Sequence, residues 1–185
     1  YSDMAIGTAK MIGYDLPENF NMPYLSGNIT EFWHRWHMTL SSWLRDYLYI
    51  PLGGNRGAGW ETLRNLAIVM LLAGLWHGAN WVFVLWGAYH GALLILYRVL
   101  PPFNRLQAQD GAWTWRDIVA VPLMLVFTLV GWAIFRSPSV SHLGVWFAAL
   151  GNWDPSLGLA WQSSLLWLLI HILPLILLQA FSITV

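Results

Sequence analysis

Between Leu66 and Trp86 the chain carries no charged side chain, yet His77 sits near the middle of that run, with Gly78 beside it and Asn80 three residues on. The run is long enough to cross a bilayer, whose hydrocarbon core takes about 20 apolar residues of helix. An imidazole at that depth needs a partner or a wet cavity, because an unsatisfied polar group in hydrocarbon is costly. His77 is therefore either a functional residue of a membrane site or a structural histidine satisfied by its neighbours. If Arg64 lies near a membrane surface, His77 is ~20 Å deeper along a helix. A neutral imidazole placed there can take a proton from a hydroxyl and hand it to a leaving group.

The rest of the composition agrees with a membrane setting. Hydrophobic residues make up 57% of the 185 and charged residues only 10%, against about 25% charged in soluble domains. Fourteen tryptophans and seven tyrosines suit aromatic belts at both interfaces. Nine basic and nine acidic residues cancel, so no field favours nucleic acid. There is no cysteine, which excludes disulfides, thiolate metal sites and a thiol nucleophile. A Gly-x-Ser-x-Gly elbow is also missing, so a covalent acyl-enzyme has no obvious residue and direct attack by an acceptor is the simpler route for any acyl transfer. Opening on Tyr1 and ending in an apolar stretch, the chain reads as a fragment of one membrane-embedded domain.

Turn residues Pro17, Asn19, Asn21, Pro23 and Gly27 crowd the stretch from Leu16. Asn28 then has the character of a helix N-cap, and Glu31 stands at the third helical position, as in a capping box. The spacing predicts an amphipathic helix over 28–50. Its apolar stripe is Trp33, Trp36, Leu40, Trp43 and Tyr47, and its polar stripe is Thr30, His34, His37, Ser41 and Arg45. Pro51 ends it. The following Gly53–Gly59 stretch is a flexible turn that lacks the Gly-Lys-Ser/Thr ending of a phosphate loop. As one helix, residues 65–98 would be ~51 Å long against a hydrocarbon core of ~30 Å. A broken or re-entrant transmembrane segment, with its break near Gly78 or Gly87, fits better. Arginines on both flanks favour a hairpin path. Residues 101–115 read as a polar loop, and 118–135 and 163–181 as transmembrane helices.

The candidate site residues each have a second reading. His34 and His37, three apart, are either polar groups of an interfacial helix or contributors to a site. A metal shared with His77 is disfavoured, because no Asp or Glu lies on their stripe. Asn80 can orient His77 or donate to an oxyanion, or simply pack. Arg45 can guide an anionic donor or pair with Asp46. His90, His142 and His171 read as lone histidines, with His90 facing away from His77 on any continuous helix.

Two blocks of residues carry a family resemblance. Asn21-Met22-Pro23-Tyr24 and the long block Phe32 to Arg56, with Phe32-Trp33-His34-Arg35-Trp36-His37 and Tyr49-Ile50-Pro51-Leu52-Gly53-Gly54-Asn55-Arg56, resemble the membrane-bound O-acyltransferase family, in particular its bacterial alginate O-acetyltransferase branch. Gly74-Leu75-Trp76-His77-Gly78-Ala79, Trp86-Gly87-Ala88-Tyr89-His90-Gly91 and Gly131-Trp132-Ala133-Ile134-Phe135-Arg136 continue the likeness.

The resemblance implies an all-α, polytopic membrane protein, a multi-helix bundle around a tunnel of which this chain holds the C-terminal part. It places the catalytic histidine at His77 and a second active-site polar position at His37. On this reading His34, Arg45, Trp76 and Asn80 are candidates for substrate binding. The resemblance also implies an acyl donor, acetyl-CoA or another acyl thioester, with no bound cofactor and no metal. The acceptor is an exported polysaccharide, reached through a periplasmic acetyltransferase partner, and the setting is the lipid of the bacterial inner membrane. The rivals are a transporter or channel, where an intramembrane histidine marks a substrate path, and a non-catalytic scaffold for polysaccharide modification.

Overall fold

The structure is a computed structural model that describes residues 2–100 and 116–151. Every regular element among those residues is helical. They divide into a compact unit that ends at Leu143 and a second that begins at Gly144.

Helix α1, Ser2–Met11, has no buried residue and is followed two residues on by Gly13, whose φ of +88° lies in the left-handed region. A loop and a short 3-10 turn, Pro23–Leu25, lead to α2, Ile29–Arg35. Asn28 caps α2 as its sequence position predicts. Its side chain accepts from the Glu31 amide at 2.7 Å, and the Glu31 carboxylate reaches back to the Gly27 amide at 2.9 Å. The buried face of α2, Ile29 and Phe32, packs with Met124.

The expected helix over 28–50 is not continuous. It is divided into α2, α3 (Met38–Leu44) and a π-helical turn over Arg45–Tyr49. The break falls at Trp36 and His37, and His37 takes a left-handed conformation, φ 45° and ψ 53°. Few non-glycine residues accept that geometry unless their surroundings impose it. Here the preceding loop does so. The Asn21 amide donates to the Arg35 carbonyl at 2.9 Å, the Met38 amide donates to the Asn19 carbonyl at 2.8 Å, and Asn19 Oδ1 accepts from both the amide and hydroxyl of Thr39. Backbone groups orphaned by the break thus find partners in the loop. The aromatic stripe splits with the helix. Trp33 and Trp36 pack inward, whereas Trp43 and Tyr47 stack on each other at the surface.

Helices α4 (Gly59–Trp76) and α5 (Trp81–Val99) form an antiparallel hairpin. The break expected near Gly78 lies at residues 77–80. Gly78 adopts a φ of +152°, and the Asn80 side chain caps α5 by accepting from the Val82 amide at 3.0 Å. The two helices meet where side chains are missing. A Cβ on Gly74 would overlap the Phe83 carbonyl, and one on Gly87 would overlap the Met70 carbonyl. Such small-residue contacts let helix backbones approach closely. The glycine turn before α4 is pinned from the helix itself. Buried Asn65 donates to the carbonyls of Leu52 and Gly54, and Thr62 donates to Gly54.

Helix α6, Asp117–Arg136, lies against α5, and the Tyr89 hydroxyl donates to the Phe127 carbonyl at 2.9 Å. It carries Pro122 in its second turn, where the missing N–H leaves the Ile118 carbonyl without its helical donor. Helix α7, Val140–Gly151, starts in the first unit, where Leu143 joins Val82, Trp86 and Ile134 in a buried cluster. Helices α5 and α6 are long and apolar enough to cross a membrane. Helix α4 carries Glu61, Arg64 and Asn65 in its first two turns. The expected polar loop over 101–115, the span over 163–181 and His171 lie outside the described residues.

Candidate active site

The break between α2 and α3, the end of α4, the inner face of α5 and the last turns of α6 enclose a cavity of about 200 Å³ in the first unit. Its wall is mostly aromatic and aliphatic. His37, His77, His90 and Ser41 interrupt it.

Each histidine reaches the cavity by a different local device. His37 is turned inward by the left-handed break, and its Nδ1 is buried with no hydrogen-bond partner among the described residues. Had α2 run on, His34 and His37 would have kept to one stripe. The break instead leaves His34 exposed and away from the cavity. His77 caps the C-terminal end of α4, where its amide still bonds to the Gly74 carbonyl. Its ring stands edge-on to Trp76, Trp86 and Phe135, at centroid separations of 4.9, 5.3 and 4.9 Å.

His90 is the residue that reasoning from the sequence misplaced. Its spacing from His77 put it on another face of a continuous helix. Because the chain turns back at residues 77–80, α5 runs antiparallel to α4 and His90 points into the same cavity. It is 2% exposed and stacks parallel on Phe32, 6.4 Å away, with Trp86 and Trp33 edge-on at 4.8 and 5.2 Å. A signal was present. Val82, Trp86 and His90 recur every four residues and form one buried stripe of α5.

The remaining candidates sit elsewhere. Arg45 is on the surface, paired with the adjacent Asp46 through two contacts of 2.7 and 3.2 Å. That hydrogen bond holds the Asp46 carboxyl below its usual range. Asn80 spends its side chain on the α5 cap rather than on His77. Trp76 is 61% exposed, and its ring stands edge-on to both His37 and His77, at 6.4 and 4.9 Å. The exposed His142 is on α7, outside the cavity. Among the described residues no group of three or more His, Cys, Asp or Glu is arranged to hold a metal ion.

Three imidazoles from separate segments, His37, His77 and His90, thus converge on a small, largely apolar space, and comparison with known proteins gives that geometry a context. A sequence profile of MBOAT, the membrane-bound O-acyltransferase family, matches residues 1–141. The chain belongs to the membrane-bound O-acyltransferase family. It is 50% identical over 163 residues to a probable alginate O-acetylase of Azotobacter vinelandii, covering 84% of this chain and 30% of that protein. Against a peptidoglycan O-acetyltransferase of Helicobacter pylori it is 43% identical over 140 residues, 76% of this chain and 26% of the relative. Against a teichoic acid D-alanyltransferase of Bacillus subtilis it is 31% identical over 154 residues, 77% of this chain and 38% of the relative. The chain therefore spans about a third of the length of these relatives. All the cavity residues lie inside the segment that matches the O-acyltransferase profile.

Proposed function

We propose that this chain supplies the catalytic chamber of a membrane-embedded O-acyltransferase that acetylates an exported polysaccharide of the alginate type. The observation that carries this reading is the convergence of His37 and His77 on one mostly apolar cavity. The relatives are named for transfer to alginate, peptidoglycan and teichoic acid, which supports a polymeric, polysaccharide-type acceptor.

In the proposed mechanism His77 is the general base. It takes the proton of an acceptor hydroxyl as that oxygen attacks the carbonyl carbon of the donor, acetyl-CoA or another acyl thioester. The carbon–sulfur bond then breaks, and the imidazolium returns the proton to the departing sulfur. His37 holds donor or acceptor by a hydrogen bond from the facing wall. The aromatic wall keeps bulk water from competing for the acyl group. No metal enters this scheme. The acetyl ester so formed is passed on, across the inner membrane, to the polysaccharide by a periplasmic acetyltransferase partner, which completes the proposal.

The test uses the full-length protein in membranes, comparing His77→Ala with wild type and measuring acetyl esters on the polymer. Loss of a positioned general base costs about 10²–10⁴-fold in rate, so esters should fall to background while protein level holds. Normal esters at normal protein level would remove the catalytic reading and leave the scaffold. Loss of a transported solute, with no acyl product from wild type either, would point to a transporter.

A further inference from the structure

Away from the cavity, three arginines gather around the glycine turn that precedes α4. Arg56 stands in the turn itself. Arg64 reaches back from α4. Its guanidinium donates to Asn65 Oδ1 at 3.1 and 3.3 Å, and the Asn65 amide holds the Leu52 and Gly54 carbonyls of the turn. Arg98 arrives from the last turn of α5, which the antiparallel hairpin returns to the start of α4. There its charge is felt at Tyr49, where burial pushes the phenol up and Arg98 opposes that push. The Tyr49 hydroxyl in turn donates to Asn55, the residue before Arg56, at 2.6 Å. All three arginines are exposed, and none pairs with a carboxylate among the described residues. The nearest acid in the sequence, Glu61, spends its carboxylate on the Ala58 amide. Like charges brought together repel, so this end of the hairpin favours an anion.

The side chains around the arginines indicate what carries that anion. Ile50, Leu52 and Trp60 are large, apolar and exposed, and the Arg64 guanidinium lies over the Trp60 ring, 5.1 Å from its centre. A soluble anion gains nothing from bare hydrocarbon beside its cations. The boundary of a bilayer uses both, with indole rings at headgroup level, aliphatic side chains below them and cations against lipid phosphate. Helix α5, long and apolar enough to cross a membrane, ends at this same place. We infer that Arg56, Arg64 and Arg98, with Trp60, form a docking surface for the phosphate headgroups of anionic phospholipids. The guanidinium fork suits phosphate oxygens, which it can bind in pairs. Arg64 lies ~20 Å along α4 from His77, so the surface is separate from the cavity and independent of the chemistry proposed there.

The test takes the full-length protein in neutral detergent micelles, titrates it with phosphatidylglycerol or with zwitterionic phosphatidylcholine, and follows the thermal midpoint. Phosphatidylglycerol should raise the midpoint saturably, because it binds the folded state, and phosphatidylcholine should fall well short of it. An arginine near an anionic lipid surface is worth about fivefold in apparent affinity. Arg56→Gln should therefore weaken the phosphatidylglycerol response about fivefold, and Arg56→Gln, Arg64→Gln and Arg98→Gln combined about 10²-fold. Arg45→Gln, whose guanidinium is already paired with Asp46, should leave it unchanged. If the triple variant does not fold, Arg56→Gln alone decides, because Arg56 is an exposed residue of a turn. Equal responses to the two lipids overturn the proposal, as does a phosphatidylglycerol response that survives loss of the arginines. An arginine-dependent rise with inorganic phosphate or CoA alone, and none with phosphatidylglycerol, also overturns it and assigns the cluster to a soluble ligand.

Discussion

At the scale of single residues, His37 shows how a side chain is aimed by bonds it does not make. Its left-handed backbone is held by Asn19, which binds the Met38 amide through its carbonyl and the Thr39 amide and hydroxyl through its side chain. Asn19→Ala leaves the backbone bond and removes the side-chain pair. The turn should loosen and the imidazole should wander within the cavity. A small misplacement at a reacting centre costs up to about 10²-fold, so the acetyl transfer proposed for the full-length protein should drop about tenfold to a hundredfold at normal protein level. An unchanged rate would mean the remaining Asn19–Met38 and Asn21–Arg35 backbone bonds suffice to hold the turn. The sequence around His37 offered no local hint of this. A positive φ in a non-glycine residue is imposed by tertiary contacts, and the stripe spacing fits α2 and α3 separately as well as it fits one long helix. Asn28 was legible for the opposite reason, since a cap and its Glu31 partner lie within one turn.

At the scale of elements, the α4–α5 hairpin decides which residues meet. The turn was legible in part, because Gly78 and Asn80 are local signals of a helix end and a new cap. The destination of His90 was not, since it depends on the second helix folding back along the first. That return needs Gly74 and Gly87 at the crossing, each facing a backbone carbonyl of the other helix. Gly74→Ala should push the helices apart. Overpacking of a tight contact costs about 1–3 kcal/mol, and backbone, unlike a side-chain tip, cannot rotate away. The thermal midpoint of the detergent-solubilised full-length protein should fall, and Gly59→Ala, where a Cβ meets nothing within 4 Å, should leave it nearly unchanged. Equal midpoints for the two variants would show that the hairpin is looser than described. The Gly53–Gly59 turn makes the same point about local reading. Its glycines suggest freedom, yet Asn65 and Thr62 tie it to α4, a constraint set by residues well downstream.

At the scale of the whole molecule, α5 and α6 bury little of their apolar surface in the protein. Only 28% of each apolar window is buried, and on α6 Ile118, Val119, Val126 and Leu129 are all at least half exposed. A core helix of a soluble domain would be covered by its own fold. An apolar face this bare needs hydrocarbon or further helices around it, and both are available to a membrane-bound family whose members extend well beyond this chain. The position along the helix separates a spanning α6 from one lying at the interface. Val126 is 53% exposed at the middle of Asp117–Arg136, whereas Ile118 is at its start. A lysine at the centre of a spanning helix costs about 2.5–3.5 kcal/mol of insertion free energy. One at the end snorkels its ammonium to the headgroups at little cost. Val126→Lys should therefore shift a membrane-insertion reporter for α6 by about the corresponding factor of 10², while Ile118→Lys barely moves it. If the two lysines are tolerated alike, α6 does not cross with Val126 at the midplane, and the aromatic cavity beside its last turns would have to be placed at a membrane surface rather than within the hydrocarbon.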